Sequence, residues 1–174
     1  MEIIKIVTGA LDENCYILKQ NNTCLVIDPG DDYPKIKEKI GEDKVLAVLI
    51  THSHFDHIGA LRNFLTKRNA KIFKKSSLEE KEYEIGDFKF ECIYTPGHSS
   101  DSVTFYFKDI NSMFVGDFIF KDSVGRCDLP TGDINTMNDS IRKIKEYSGD
   151  ITIYSGHGED TTLGYEILNN PYFK

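Results

Sequence analysis

The sequence predicts a mixed α/β fold in which two β-sheets pack together and carry helices on their outer sides. Strand-like segments come in two batches, each batch is followed by helical apolar spacing, and no repeat or Pro/Gly-rich linker divides the chain. Three short alternating or apolar segments open it, near residues 3–7, 15–19 and 23–27, and read as antiparallel strands ending at the turn signal Asp28-Pro29-Gly30. Tyr33, Ile36 and Ile40 mark a short helix that stops at Gly41. Val45 to Ile50 is a nearly continuous β-branched and apolar run, as in a strand covered on both faces. A helix with Ile58, Leu61, Phe64 and Leu65 turned inward follows it.

The second batch begins with a strand pair around 88–94 and 103–107, then a strand from Ser112 to Val115 that runs into Gly116-Asp117. Ile134, Met137, Ile141 and Ile144 follow helical spacing, and their helix is expected to end near Gly149. A last strand, Ile151 to Tyr154, precedes a closing helix over 161–169.

With 174 residues, 40% hydrophobic and 28% charged, the chain is expected to form one domain over 1–174 with a sizeable core. Lys+Arg total 21 against Asp+Glu 28, a net charge of −7, which argues against nucleic-acid and anionic-membrane partners. No apolar run is long enough to cross a bilayer, and the N-terminus lacks the pattern of a signal peptide. The expectation is a cytoplasmic protein, a monomer or small homo-oligomer. Lys67, Arg68, Lys71, Lys74 and Lys75 form a local basic patch, read as a solvated helix end and strand edge, or as an attractor for a thiol carrier with carboxylates or phosphates. The four cysteines, Cys15, Cys24, Cys92 and Cys127, are widely spaced and read as packed thiols. Cys127, if exposed beside Arg126, would have a lowered pKa.

The five histidines, His52, His54, His57, His98 and His157, all fall at strand-to-loop boundaries. Residues i and i+2 of an extended segment point the same way, so His52 and His54 can grip one ion together. Asp56 and His57 lie where the backbone turns into a helix. His98 and His157 each follow a glycine, as does Asp117. Imidazole with carboxylate suits Zn2+, Fe2+ or Mn2+. These five His and two Asp suffice for two ions if one carboxylate bridges, and ions roughly 3.5–4 Å apart bring bound water toward neutral pKa.

His52-x-His54-x-Asp56-His57, followed in order by His98, Asp117 and His157, resembles the metallo-β-lactamase superfamily, with Asp28 matching its first motif. The resemblance implies a four-layer αββα sandwich with two divalent metal ions at one edge, Zn2+ the first expectation and Fe or Mn the alternatives. By position, it implies His52, His54 and His98 on one metal and Asp56, His57 and His157 on the other. Asp117 would bridge, and Asp28 would orient ligands from behind. The segment Ser123-Val124-Gly125-Arg126-Cys127-Asp128-Leu129-Pro130-Thr131-Gly132-Asp133 is similar to small bacterial glyoxalase II-like hydrolases, as are Gly156 to Gly164 and Asn170 to Phe173. Cys127 departs from the Thr often found there.

That likeness implies a thioesterase (S-lactoylglutathione or a related acyl-thiol) using a metal-bridging hydroxide positioned by Asp56 and Asp117. Arg126 would hold a substrate carboxylate, or merely brace its loop. Two further readings compete: a mononuclear Fe(II) persulfide dioxygenase using positions His52, His98 and Asp117, and a non-catalytic metal-binding domain. His57 stands where many true β-lactamases carry Arg or Cys, which argues against antibiotic hydrolysis. Full-length glyoxalase II adds a helical C-terminal domain that supplies much of its glutathione contact. Residues 158–174 leave no room for one.

Overall fold

The computed structural model describes residues 1–174. The first batch of strands, β1 (Glu2–Thr8), β2 (Glu13–Gln20) and β3 (Thr23–Ile27), pairs antiparallel as the alternation predicts. The helix α1 (Tyr33–Ile40) carries the chain back to β4 (Lys44–Leu49), which lies parallel to β3. Next come α2 (Phe55–Ile58), α3 (Leu61–Arg68) and a short strand β5 (Lys71–Phe73) parallel to β4. These five strands form one sheet in sequence order.

The second sheet starts with β6 (Glu82–Ile85), β7 (Phe88–Tyr94), β8 (Val103–Phe107) and β9 (Ser112–Gly116). A two-stranded ribbon, β10 (Ile119–Phe120) with β11 (Ser123–Val124), stands apart from it. Helix α4 (Ile134–Ile144), strand β12 (Thr152–Ser155), strand β13 (Thr161–Thr162) and helix α5 (Leu163–Asn169) complete the chain. The order in the second sheet is β13-β12-β9-β8-β7-β6, with β12 parallel to β9.

Three apolar clusters glue four layers. Tyr33, Ile36, Ile40 and Phe64 of α1 and α3 bury against Ile17, Val26 and Val48. Between the sheets, Leu18, Leu25 and Leu49 meet Phe88, Phe90, Phe105, Phe107 and Phe114. Met137, Ile141, Ile144 and Leu163 of α4 and α5 cover Met113, Val115 and Ile153. Burying a Phe or Leu side chain contributes about 1.5–3 kcal/mol over leaving it exposed, so the inter-sheet layer is a main source of cohesion. The result is the αββα sandwich that the motif resemblance implies.

The single helix expected after the histidine motif is broken into α2 and α3 at Gly59-Ala60. Ala60 N–H reaches back to the carbonyls of Pro29 and Gly30, which fixes the break against the loop after β3. Only Phe64 of that apolar set is fully buried, and Leu65 is 50% exposed, contrary to its expected inward orientation. Residues 161–162, expected to open the closing helix, form β13 against β12 instead. Strands β5 and β6 lack a sequence signature because each is short and edges its sheet.

Candidate metal centre

All seven expected ligands converge at one end of the sandwich. His52, His54, Asp56 and His57 come from the loop after β4 and from α2. His98 lies in the loop after β7, Asp117 follows β9, and His157 follows β12. Parallel neighbours β9 and β12 end side by side, which brings Asp117 and His157 together. The two sheets are stitched here by an isolated bridge between Glu13 and His157 and by Asn14 N–H donating to the Gly156 carbonyl at 2.7 Å.

The local backbone is shaped for close approach. A Cβ on Gly156 would sit 2.3 Å from Asp117 Oδ1 and 2.7 Å from His57 Cε1. Gly116 has φ +55°, and a Cβ there would lie 2.3 Å from Thr51 Oγ1. Asp28 itself adopts φ 47°, a left-handed conformation that Asp and Asn tolerate better than most residues.

His52 Nε2 and His98 Nε2 approach His54 Nδ1 to 3.1 and 2.9 Å, so three ring nitrogens face one point. On the other side, His157 Nε2 lies 3.2 Å from Asp56 Oδ2, and His57 Nε2 lies 3.2 Å from Asp117 Oδ1. Asp117 stands between the groups: Oδ1 faces His57 and His157, and Oδ2 is 3.5 Å from His98 Nε2. Within His52-His54-His98, and again within Asp56-His57-His157, the ligand atoms lie within 4.8 Å of one another.

Behind this face, four rings are locked. His98 Nδ1 meets the Arg126 carbonyl at 2.8 Å and His157 Nδ1 the Leu11 carbonyl at 3.0 Å. A carbonyl only accepts, so Nδ1 carries the proton in both rings and Nε2 presents a lone pair to the site. Thr51 Oγ1 donates to Asp28 Oδ2 at 2.5 Å and is therefore free to accept from His52 Nδ1 at 3.1 Å. His57 Nδ1 donates to Asp28 Oδ2 at 3.0 Å, and Thr51 N–H donates to Asp28 Oδ1 at 2.8 Å. Asp28 also lies within ligand distance of His52 and His57. Its oxygens are committed to these donors, so it orients rings instead of facing the site. The sequence reading did not single out Thr51, nor Glu13, whose Oε1 is 3.7 Å from His57 Nδ1. A Thr between a buried strand and a histidine carries no distinctive pattern.

Electrostatics follow from crowding. Burial, together with the neighbouring His57, pushes His52 well below the ordinary imidazole range, leaving it neutral. Burial opposes charge on His57 too, but the carboxylates of Asp117 and Asp28 outweigh it and hold His57 well above that range. Burial pushes the Glu13 carboxyl up to about 9, against the pull of His57. Asp117 is shifted far down by the surrounding imidazoles despite its burial.

The donor set fits divalent metal. His57 Nε2 and Asp117 Oδ1 are buried without a hydrogen bond of acceptable geometry, aimed into the shared space. Such orphaned atoms cost roughly 1–3 kcal/mol each unless something meets them, and nitrogen with carboxylate oxygen matches Zn, Fe or Mn. No thiol reaches the cluster: the Cys127 Sγ points to the Gly125 carbonyl, and burial with nearby Asp133 and Asp128 pushes it up, opposite to the lowered thiol considered from sequence.

The cluster opens on a cleft of about 880 Å³, flanked by Leu11, Phe55, Asp101, Arg126 and Pro130. Arg126 grips Asp128 with Nε and one terminal nitrogen at 2.6 and 2.7 Å, so its guanidinium is already occupied at the rim.

Residues 8–81 and 74–157 match the profile of the metallo-beta-lactamase superfamily. The chain is 30% identical to hydroxyacylglutathione hydrolase GloC of Haemophilus influenzae, with 99% of this chain and 98% of that protein covered. Its structure resembles the crystal structure of BLEG-1 B3 metallo-beta-lactamase, with TM-score 0.95, 29% identity and 99% and 100% of the two chains covered. ETHE1 from Myxococcus xanthus shares the fold, with TM-score 0.91, 21% identity and 98% and 84% coverage. The profile match and the near full-length relative together establish that the chain belongs to the metallo-beta-lactamase superfamily, which implies binding of divalent metal.

Proposed function

We propose that the protein is a binuclear metal-dependent hydrolase that cleaves a thioester in the manner of glyoxalase II. One observation carries this reading: two complete ligand groups share Asp117 at the floor of an open cleft. The similarity to GloC supports it. His52, His54 and His98 would hold one ion, Asp56, His57 and His157 the other, with Asp117 between them. When bound, the pair supplies Lewis acidity for the carbonyl oxygen and lowers the pKa of water toward neutrality.

The chain's own residues supply position and charge. Water adds to the thioester carbonyl, the C–S bond breaks, and a carboxylate and a thiol are released. Asp56 Oδ2 and the two Asp117 oxygens line the approach of water and can hold its proton by hydrogen bonds. Asp28, Thr51 and the Leu11 and Arg126 carbonyls keep the rings from turning. Phe55, 74% exposed, and Leu11, 53% exposed, give the cleft an apolar lip for the acyl or carrier portion. Arg126 would take a substrate carboxylate by exchanging it for Asp128.

The deciding experiment measures turnover of a thioester panel, beginning with S-lactoylglutathione, alongside metal content and oxygen uptake in one preparation. Thioester cleavage with two metals and no oxygen uptake supports the proposal. Oxygen uptake on glutathione persulfide with a single iron would replace it with a dioxygenase. Cleavage confined to β-lactams would replace it with a lactamase, and two bound metals without turnover of any of these would leave a binding domain.

A further inference from the structure

A second cavity, about 750 Å³, lies far from the histidines and is lined by Lys37, Lys44, Lys67, Arg68 and Lys71, with no acidic residue. Its walls come from four elements: the last turns of α1 and α3 and the first residues of β4 and β5. Strand β4 starts at this cavity and ends at the histidine loop. Lys44 and His52 are therefore separated by on the order of 25 Å at strand rise. The two cavities occupy opposite ends of the sandwich.

Sequence adjacency showed only part of this cluster. The fold adds Lys37 and Lys44 to Lys67, Arg68 and Lys71, and it sends Lys75 elsewhere, onto the Ser100 carbonyl. None of the five cations makes an ion pair or donates a hydrogen bond, whereas Lys5, Lys19, Lys108 and Lys143 each hold a carboxylate. Asp43, the acid beside Lys44 in sequence, is held by Lys19 at 2.9 Å. Lys67 sits over the Tyr33 ring at 5.0 Å, and Tyr33 and Val45 give the cavity an apolar floor.

Helix ends account for Lys37, Lys67 and Arg68, because cations favour the carbonyl end of a helix. They do not account for Lys44 and Lys71, which begin strands. Five positive charges without an acidic partner face one basin on a protein of net charge −7, and an anion bound among them would relieve their mutual repulsion. The volume suits a small ligand and not a macromolecular groove. Two phosphate monoesters bring roughly three to four negative charges, a close match to five cations in water.

We propose that this basin is a binding site for a small molecule carrying two phosphate groups, separate from the metal centre. The site does not rest on the hydrolase reading and survives if that reading fails.

The test is calorimetric titration of the metal-loaded protein with fructose bisphosphate at about 0.15 M salt, where exposed charges are well screened. Metal content is measured before and after. Propane tricarboxylate and a short single-stranded RNA serve as competing probes. The Lys44→Glu/Lys71→Glu pair alters exposed, unpaired side chains, and Lys89→Glu on the other sheet is the charge control. Saturable one-to-one binding, weakened about tenfold or more by the pair and unchanged by Lys89→Glu, is the expected result. Absence of saturation at millimolar ligand would overturn the proposal, as would indifference to the double change. Equal binding of the tricarboxylate, or tighter binding of RNA, would overturn the assignment of ligand class.

Discussion

Replacing Asp28 by Asn separates the charge of this buried carboxylate from its shape. The left-handed backbone at φ 47° accepts Asn, so the loop after β3 is retained. Thr51 N–H donates to Oδ1, which forces the amide oxygen of Asn into that position. The amide nitrogen then replaces Oδ2 and confronts His57 Nδ1 at 3.0 Å with a donor where an acceptor stood. In the neutral form that can hold a metal the ring carries one proton, which must move from Nδ1 to Nε2, the atom that faces Asp117. A protonated Nε2 cannot hold a metal. Loss of a partner of this kind weakens metal binding by roughly 10–100-fold, or about 1.4–2.7 kcal/mol. The His52-His54-His98 group is one hydrogen bond further away, through Thr51, and loses less. Equilibrium dialysis against a graded chelator should therefore show one equivalent lost early and one retained, and imidazole nitrogen shifts in the NMR spectrum should show His57 in the other tautomer. Two equivalents held at unchanged affinity, with the His57 tautomer unaltered, would refute the reasoning.

Three other perturbations test different links. Gly156→Ala places a Cβ against Asp117 Oδ1 and His57 Cε1, and should cost one metal equivalent and about a hundredfold in turnover while circular dichroism stays native. Asp133→Ala removes the carboxylate that caps α4 by accepting from the Asn135 and Thr136 amides at 2.8 and 2.9 Å; it should lower stability by about 1 kcal/mol and Tm by about 2–4 °C, with metal content unchanged. Burial raises the thiol of Cys24 to about 11 and that of Cys92 to about 12, and drives Cys15 up as well, so thiolate is scarce in all three near neutral pH. A thiol reagent at about pH 8 should find only half-buried Cys127 in the native protein, reacting more slowly than a free thiol, and all four after denaturation.

The layer architecture was legible because the apolar periods were unmixed. Val45 to Ile50 is buried except for the partly exposed Leu46, in a strand flanked on both sides by others, and Met137, Ile141 and Ile144 fall on one buried face of α4. The ligand positions were legible for a chemical reason: all five imidazoles sit in the segments that follow strands β4, β7 and β12, His57 on the short helix α2 and the others in loops. What escaped was structure decided by tertiary contact. Leu65 obeys helical spacing, but the break at Gly59-Ala60 rotates α3 so that Phe64 takes the core instead. Glu13 and Thr51 read as ordinary strand-edge residues until the fold sets them behind His57 and His52. Arg126 was visible as a cation near the site, but its grip on Asp128 depends on the turn of a loop that no periodicity describes.

The ligands are divided between the two halves of the chain. His52, His54, Asp56 and His57 belong to the first sheet's half, and His98, Asp117 and His157 to the second. Both groups that face the cleft, His52-His54-His98 and Asp56-His57-His157, take at least one member from either side. A chain severed in the loop between β5 and β6 would yield two fragments, neither able to assemble a full group alone. Metal would then act as the ligature between them, and free ion concentration would set how much of the split protein reassembles.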